Sequence, residues 1–210
     1  MGGTGGGVNC TSFRDADAPA GVSVHIVNET SGVIYLGQKA INCVAEPLFQ
    51  VHDQDGMELF PPGPCRSCQD VMSGSYACFA NCPWTPAVTL QPGEALDQAW
   101  TGLFGVGVQE LPRACLSAPL PLEAATSCSY AAAAQPGKFT FSAKAGTAME
   151  CGAPEASTCG ACQPNANGGC ITIQGVVPLP TLSVETTLTL NAEDVVSGQH
   201  PALAELVFKD

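Results

Sequence analysis

The number of cysteines is the feature that most constrains how this chain can fold: there are twelve in 210 residues. Cytosolic thiols are kept reduced, whereas disulfides persist in oxidising compartments. An even number of cysteines in a soluble chain is typical of a disulfide framework, so we expect all of them to be oxidised and the protein to be extracytoplasmic. They are Cys10, Cys43, Cys65, Cys68, Cys78, Cys82, Cys115, Cys128, Cys151, Cys159, Cys162 and Cys170.

The overall composition indicates one globular domain with many turns. Hydrophobic residues make up 45% of the chain and charged residues 12%, with 23 Gly and 17 Pro. A single all-β domain can reach about 200 residues, so the length does not require two. The net charge of -12 repels nucleic acids and anionic lipids, which we therefore exclude as partners. No apolar run reaches the roughly 18 residues of a membrane-spanning helix.

The first twenty residues predict a flexible tether, because residues 1–7 read MGGTGGG. This start resembles that of a mature bacterial lipoprotein, in which a lipid-modified cysteine precedes a Gly/Ser-rich linker. The resemblance implies that Met1 replaces a lipobox cysteine directly before Gly2. It also implies an acyl-anchored or secreted protein of the bacterial outer membrane or cell surface. The alternative is a plain Gly-rich leader or a cloning remnant.

From Val22 onward, short runs of alternating apolar and polar residues are separated by turn sequences. Asp53 to Gly56 supplies hairpin-turn chemistry between the runs 48–52 and 57–60. Roughly eight such strands predict an all-β fold, an antiparallel β-sandwich in a single domain over 21–210. We expect Trp100 in its core. The clearest other runs are 22–26, 33–36, 87–90, 138–144, 184–190 and 204–208.

Two cysteine-rich segments, at about 61–86 and 145–175, lack a strand pattern and predict loop insertions stapled by disulfides. A Cys115–Cys128 disulfide would close the loop between these two residues, which leaves Cys10 to pair with Cys43 by elimination. Residues 66–72 predict one or two helical turns ending near Gly74.

A thiolate metal site for zinc or copper is the alternative for the first segment. Four cysteines in two close pairs can surround one tetrahedral ion, and Cys65, Cys68, Cys78 and Cys82 have such a spacing. The even cysteine count favours disulfides. Helical spacing puts Met72 on the same face as Cys68, where we expect it to pack rather than bind copper.

Motifs for catalysis or cofactor binding are absent from the sequence, so we predict a protein that is not an enzyme and has no cofactor. The glycines at 102–107 precede no helical pattern and predict a bulged strand or an exposed loop. Asp53 and Asp55 lack the later glutamate of a calcium loop. The histidines His25, His52 and His200 are widely separated.

The order of the turn motifs resembles a bacterial immunoglobulin-like domain. More narrowly, residues 22–144 resemble the intracellular proteinase inhibitor family of Bacillus type. An Asn-bearing turn at 28–32 is followed by the Asp-Gly hairpin, a Pro-Gly-Glu turn at 92–94 and a Pro-Gly-aromatic strand at 136–141. The resemblance implies an Ig-like sandwich and protease inhibition, but the cysteine clusters depart from that family. Cysteine-rich secreted lipoproteins of myxobacterial type are a second resemblance.

These observations predict a non-catalytic binding or structural domain whose partner is a protein or another envelope macromolecule, with protease inhibition as one specific version. Disulfide-fixed loops lose little entropy on docking. Apolar segments 79–84 and 103–106 are further contact candidates, because aromatic anchors carry much interface energy. The first candidate binding loop, flanked by cysteines, consists of Met72, Ser73, Ser75 and Tyr76.

Overall fold

The computed structural model describes residues 8–19, 21–37, 40–41, 44–63, 65–75, 87–117, 126–147, 149–151, 162–164, 170–172, 176–178, 182–191 and 202–210. Strands dominate these residues, which confirms the all-β prediction. The strands are β1 (Val22–Asn28), β2 (Ile34–Gly37), β3 (Ala40–Ile41), β4 (Val44–Ala45), β5 (Gln50–His52), β6 (Ala87–Leu90), β7 (Ala95–Trp100), β8 (Leu103–Val108), β9 (Cys128–Ala133), β10 (Gly137–Gly146), β11 (Met149–Cys151), β12 (Cys162–Pro164), β13 (Cys170–Thr172), β14 (Val176–Pro178), β15 (Leu182–Leu190) and β16 (Ala202–Phe208). The helices are α1 (Cys68–Ser73) and two 3-10 helices, Cys10–Phe13 and Arg113–Cys115.

A three-stranded sheet has the order β16-β1-β7. β7 pairs with β1 antiparallel, but β16 pairs with β1 in parallel, from Val22 opposite Ala202 to Asn28 opposite Phe208. The prediction of an entirely antiparallel arrangement is therefore wrong at this pair. Parallel pairing needs a long connection, and almost the whole chain lies between these two strands.

A seven-stranded sheet contains β12-β13-β6-β2-β10-β15, with β5 also paired to β10. β13 lies in the second cysteine-rich segment and pairs with β6, so this segment extends the main sheet. The expectation that it lacks strands is wrong, since β11, β12 and β13 all begin within 145–175. Two-stranded sheets are formed by β11 with β14, β3 with β4, and β8 with β9.

The two larger sheets contribute to one hydrophobic core. Every second residue of β1 is buried, as expected for a strand with one face on a core. Trp100 of β7 contacts the rings of Phe139 and Phe141 on β10, at centroid distances of 5.1 and 5.7 Å. Trp100 is buried in this core, as predicted.

Asn28 fixes the turn between β1 and β2. Its side chain is fully buried, and its Nδ2 donates to the carbonyl oxygens of Gly32 and Leu90, both at 2.9 Å. Its Oδ1 accepts from the backbone N–H of Thr30 at 3.0 Å and from the Thr30 hydroxyl at 2.7 Å. A buried amide needs such partners to offset its desolvation, so this residue is structural.

A second, smaller core is formed around two disulfides, Cys10–Cys115 and Cys68–Cys128. Cys65 is also disulfide-bonded. The predicted pairs Cys10–Cys43 and Cys115–Cys128 are wrong, because cysteine spacing alone does not determine connectivity. Cys68 is bonded to Cys128 of β9, outside its own sequence cluster. The first cysteine-rich segment is therefore cross-linked to the rest of the domain and not only internally.

Two local elements support this smaller core. Helix α1 begins after Ser67, whose Oγ accepts from the Asp70 N–H at 3.0 Å, and ends at Gly74 with φ 77°. It confirms the helical turns predicted here. Residues 8–19 belong to the folded domain rather than to the tether expected over 1–20. Besides the Cys10 disulfide, Asp15 Oδ1 accepts from the Ala131 N–H at 2.7 Å. Residues 1–7 lie outside the described residues.

Candidate functional site

The segment of residues 57–61 carries two large apolar side chains on the protein surface. Met57 is 62% exposed and Phe60 is 58% exposed, whereas Leu59 between them is 8% exposed and belongs to the main core. Isolated exposed apolar residues are common. Two of them lie within four positions and beside pockets, so this segment is the candidate contact surface.

The hairpin turn before this segment fixes its first residue. The backbone N–H of Asp53 donates to the Met57 carbonyl at 3.0 Å, and Leu59 N–H donates to the Val51 carbonyl at 2.8 Å. The Oδ1 of Asp53 accepts from the N–H groups of Asp55 and Met57. These bonds confirm the predicted turn.

Strand β8 fixes the other end of the segment. The Gly105 N–H donates to the Phe60 carbonyl at 2.8 Å. A Cβ atom on Gly105 would lie 3.2 Å from the Pro61 carbonyl oxygen and 3.3 Å from Pro62 Cα. A side chain at position 105 would therefore crowd this backbone. Gly105 and Gly107 lie in the paired strand β8, and the close approach of the neighbouring backbone is at Gly105.

Two pockets lie on either side of the 57–61 segment. The first pocket has a volume of about 200 Å³ and the second about 360 Å³. Apolar side chains of the first pocket include Met57, Leu59, Phe104, Ala133, Pro136 and Phe139. Those of the second include Pro47, Leu48, Phe49, Phe60, Pro61 and Ala143. Each pocket has room for a side chain from a partner.

The predicted binding loop has a different character. Met72 is half-buried and packs against the disulfide core, and its carbonyl accepts from the Ser117 N–H at 2.9 Å and hydroxyl at 2.6 Å. Ser73 and Ser75 are exposed. Their role as contacts stays a prediction. Tyr76 and the 79–84 segment lie outside the described residues, whereas Phe104 of the 103–106 segment lines the first pocket.

No group of three or more metal-ligating side chains lies together within the part of the chain that the structure describes. Two sulfurs of the four-cysteine set proposed for zinc, those of Cys65 and Cys68, are already in disulfides. His25 Nδ1 lies 2.6 Å from Asp97 Oδ1, and both residues lie on the outer face of the three-stranded sheet. His52 forms a β-bridge with Glu58, while His200 is not among the described residues.

One signal in the sequence indicates that either Leu59 or Phe60 is exposed. Adjacent residues of a strand point to opposite faces, so Leu59 and Phe60 cannot both enter the same core. Sequence alone does not say which of them is buried. The exposure of Met57 depends on the hairpin geometry and cannot be predicted from alternation.

Comparisons with protein-family models, curated proteins and solved structures find no match to this chain. The resemblances to the proteinase inhibitor family and to myxobacterial lipoproteins stay predictions. Among the described residues, no helix has the length and apolar character needed to cross a membrane.

Proposed function

We propose that this protein is a non-catalytic, extracytoplasmic binding domain of a bacterial surface lipoprotein, and that it contacts a partner protein through the 57–61 segment and its two pockets. One observation carries the proposal: Met57 and Phe60 are exposed between two pockets, on a backbone that is hydrogen-bonded at both ends.

The physical basis is the combination of an apolar anchor with a fixed backbone. Aromatic side chains dominate the energy of many interfaces, and a flexible methionine adapts to different partner shapes. A segment that is ordered before binding loses less conformational entropy when the partner docks. Phe60 and Met57 satisfy these conditions together.

The compartment and fold in this proposal have separate support. The oxidised cysteines favour an oxidising compartment. The strands, the Asp-Gly hairpin and the Pro-Gly turns favour an Ig-like sandwich. Protease inhibition is the most specific version of the proposal, because a fixed exposed segment can occupy a protease cleft without rearranging.

The test is site-specific photo-cross-linking in cells of the source organism. A benzoylphenylalanine is introduced at position 60 in one variant and at position 203 in another, because Leu203 is also 58% exposed but lies on β16. We expect a discrete cross-linked product from position 60 only, and its loss when Met57→Ser is added. Equal products from both positions, or none from position 60, would refute the proposed surface.

A panel of purified secreted proteases tests the inhibitory version. We expect saturable inhibition of at least one protease, weakened at least about tenfold by Phe60→Ser, as for an anchor residue. The matched variant Leu203→Ser should inhibit normally. Inhibition that is indifferent to Phe60 would place the inhibitory contact elsewhere and reject this version.

A further inference from the structure

More negatively than positively charged side chains line the two pockets. Asp53 and Asp55 line the first pocket together with Lys138. Glu46 and Glu58 line the second together with Lys144. Among these described lining residues, carboxylates therefore outnumber ammonium groups, and the whole chain has the same imbalance with its net charge of -12.

The carboxylates and the lysines also differ in where they lie relative to Met57 and Phe60. Asp55 and Glu58 flank Met57 in sequence, and Glu58 is two residues before Phe60. The lysines, in contrast, both belong to β10 and not to the 57–61 segment. A partner that covers Met57 and Phe60 therefore meets the carboxylates of the same segment.

These two carboxylates are accessible to a partner. Asp55 is exposed at the tip of the hairpin, and its backbone N–H, rather than its carboxylate, makes the turn hydrogen bond to Asp53. Glu58 is partly exposed and accepts from Gln50 Nε2 at 2.7 Å, which leaves further lone pairs on a carboxylate that can take several donors. Basic side chains could add charge-assisted hydrogen bonds here.

We infer that the occupant of this surface is a cationic protein segment, in which one or two apolar side chains enter the pockets and the flanking lysine or arginine side chains lie against Asp55 and Glu58. This inference rests on the proposed function. The negative field of the whole chain steers such a segment towards the surface and repels an acidic one. Complementary charge of this kind raises the association rate and selects among partners that share the same apolar anchors.

Two synthetic peptides with identical apolar residues provide the probe. One has the sequence Lys-Lys-Leu-Ser-Phe-Lys-Lys, and its twin carries glutamate at the four lysine positions; both are acetylated and amidated. Each is titrated into the disulfide-intact chain at low salt while backbone amide shifts are recorded by NMR. We expect the basic peptide to shift amides in 53–61 and 133–138 and to bind at least about tenfold more tightly than its twin. This affinity should fall as salt is added.

Charge-reversal variants separate local contacts from net charge. Asp55→Lys with Glu58→Lys changes the net charge by the same amount as Glu110→Lys with Glu205→Lys, whose exposed side chains line neither pocket. We expect the first pair to weaken binding of the basic peptide by about tenfold or more, and the second pair by less than about threefold. Asp55→Lys alone, at the exposed hairpin tip, provides the same comparison without altering the Glu58 hydrogen bond.

The outcomes distinguish this inference from the proposed function. If the acidic twin shifts the same amides with equal affinity, or if both variant pairs weaken binding equally, the cationic partner is refuted while the contact surface stands. If neither peptide shifts amides in 53–61, the inference is also refuted, and photo-cross-linking at position 60 separately decides whether the surface itself binds.

Discussion

The backbone N–H of Gly105 lies 2.8 Å from the carbonyl oxygen of Phe60 and donates a hydrogen bond to it. This single bond joins the middle of β8 to the segment that carries the exposed apolar side chains. It forms because no side chain at position 105 separates the two backbones. The position of Phe60 on the surface is thus set by a residue far from it in sequence.

Replacing Gly105 should displace the 57–61 segment. In Gly105→Val, the new Cβ would meet the backbone of Pro61 and Pro62 within 3.3 Å, and such overpacking costs about 1–3 kcal/mol. We expect a lower free energy of unfolding in urea and altered amide shifts in 57–61. The control is Gly107→Val on the same strand, where a Cβ has no neighbour within 4 Å. If Gly107→Val destabilises as much, the close contact is not the cause.

Leu59 should contribute to the free energy of unfolding, whereas Met57 and Phe60 should contribute little. Leu59→Ala removes a buried side chain from the main core, at a cost of about 2–5 kcal/mol. Met57→Ser with Phe60→Ser alters only exposed groups, so we expect a change within about 1 kcal/mol. Urea unfolding of both variants measures the difference. A large loss in the double variant would mean that these side chains pack in solution.

The amide of Asn28 should not be replaceable by a carboxylate. Asn28→Asp removes two donated hydrogen bonds and places a carboxylate oxygen beside the Gly32 and Leu90 carbonyls, at 2.9 Å from each. We expect a loss of about 2–5 kcal/mol in the free energy of unfolding. Asn9→Asp is the matched control, because Asn9 only accepts hydrogen bonds, from Thr11. Equal effects of the two changes would contradict this assignment.

The two disulfides of the smaller core should be reduced one after the other. Cys68 is fully buried, whereas Cys10 is partly exposed, and attack on a disulfide requires access to one of its sulfurs. With a low concentration of a phosphine reductant, we expect Cys10 and Cys115 to be alkylated before Cys68 and Cys128. Peptide mass spectrometry measures the order of labelling. In denaturant, we expect all four cysteines to be labelled at similar rates. Earlier labelling of Cys68 would show that the smaller core opens first.

Much of the strand framework is predictable from sequence because alternation and turn residues are local signals. β1, β2, β6 and β10 appear where apolar alternation predicts them, and α1 overlaps the helical turns predicted at 66–72 and ends before Gly74, as expected. β9 is different: it contains Ala131, Ala132 and Ala133, and alanine is a weak strand former. Its strand conformation depends on pairing with β8, which a local pattern does not reveal.

The contacts between distant parts of the chain were the least predictable. Disulfide partners, the parallel pair of β1 with β16 and the addition of β13 to β6 all depend on tertiary proximity. The candidate surface has the same limitation. Its hairpin turn follows from Asp53 and Gly56, but its pockets require β8 and β10 to lie beside it, and no sequence spacing specifies that neighbourhood.

The parallel pairing of β1 with β16 affects how the chain matures. Translation adds about 5–20 residues per second, so β1 leaves the ribosome well before its partner exists. The three-stranded sheet can close only once residues up to Phe208 have emerged. Contacts this distant in sequence also form slowly. β7 can pair with β1 earlier, but until β16 has emerged the opposite edge of β1 has unpaired backbone groups that any extended segment could join.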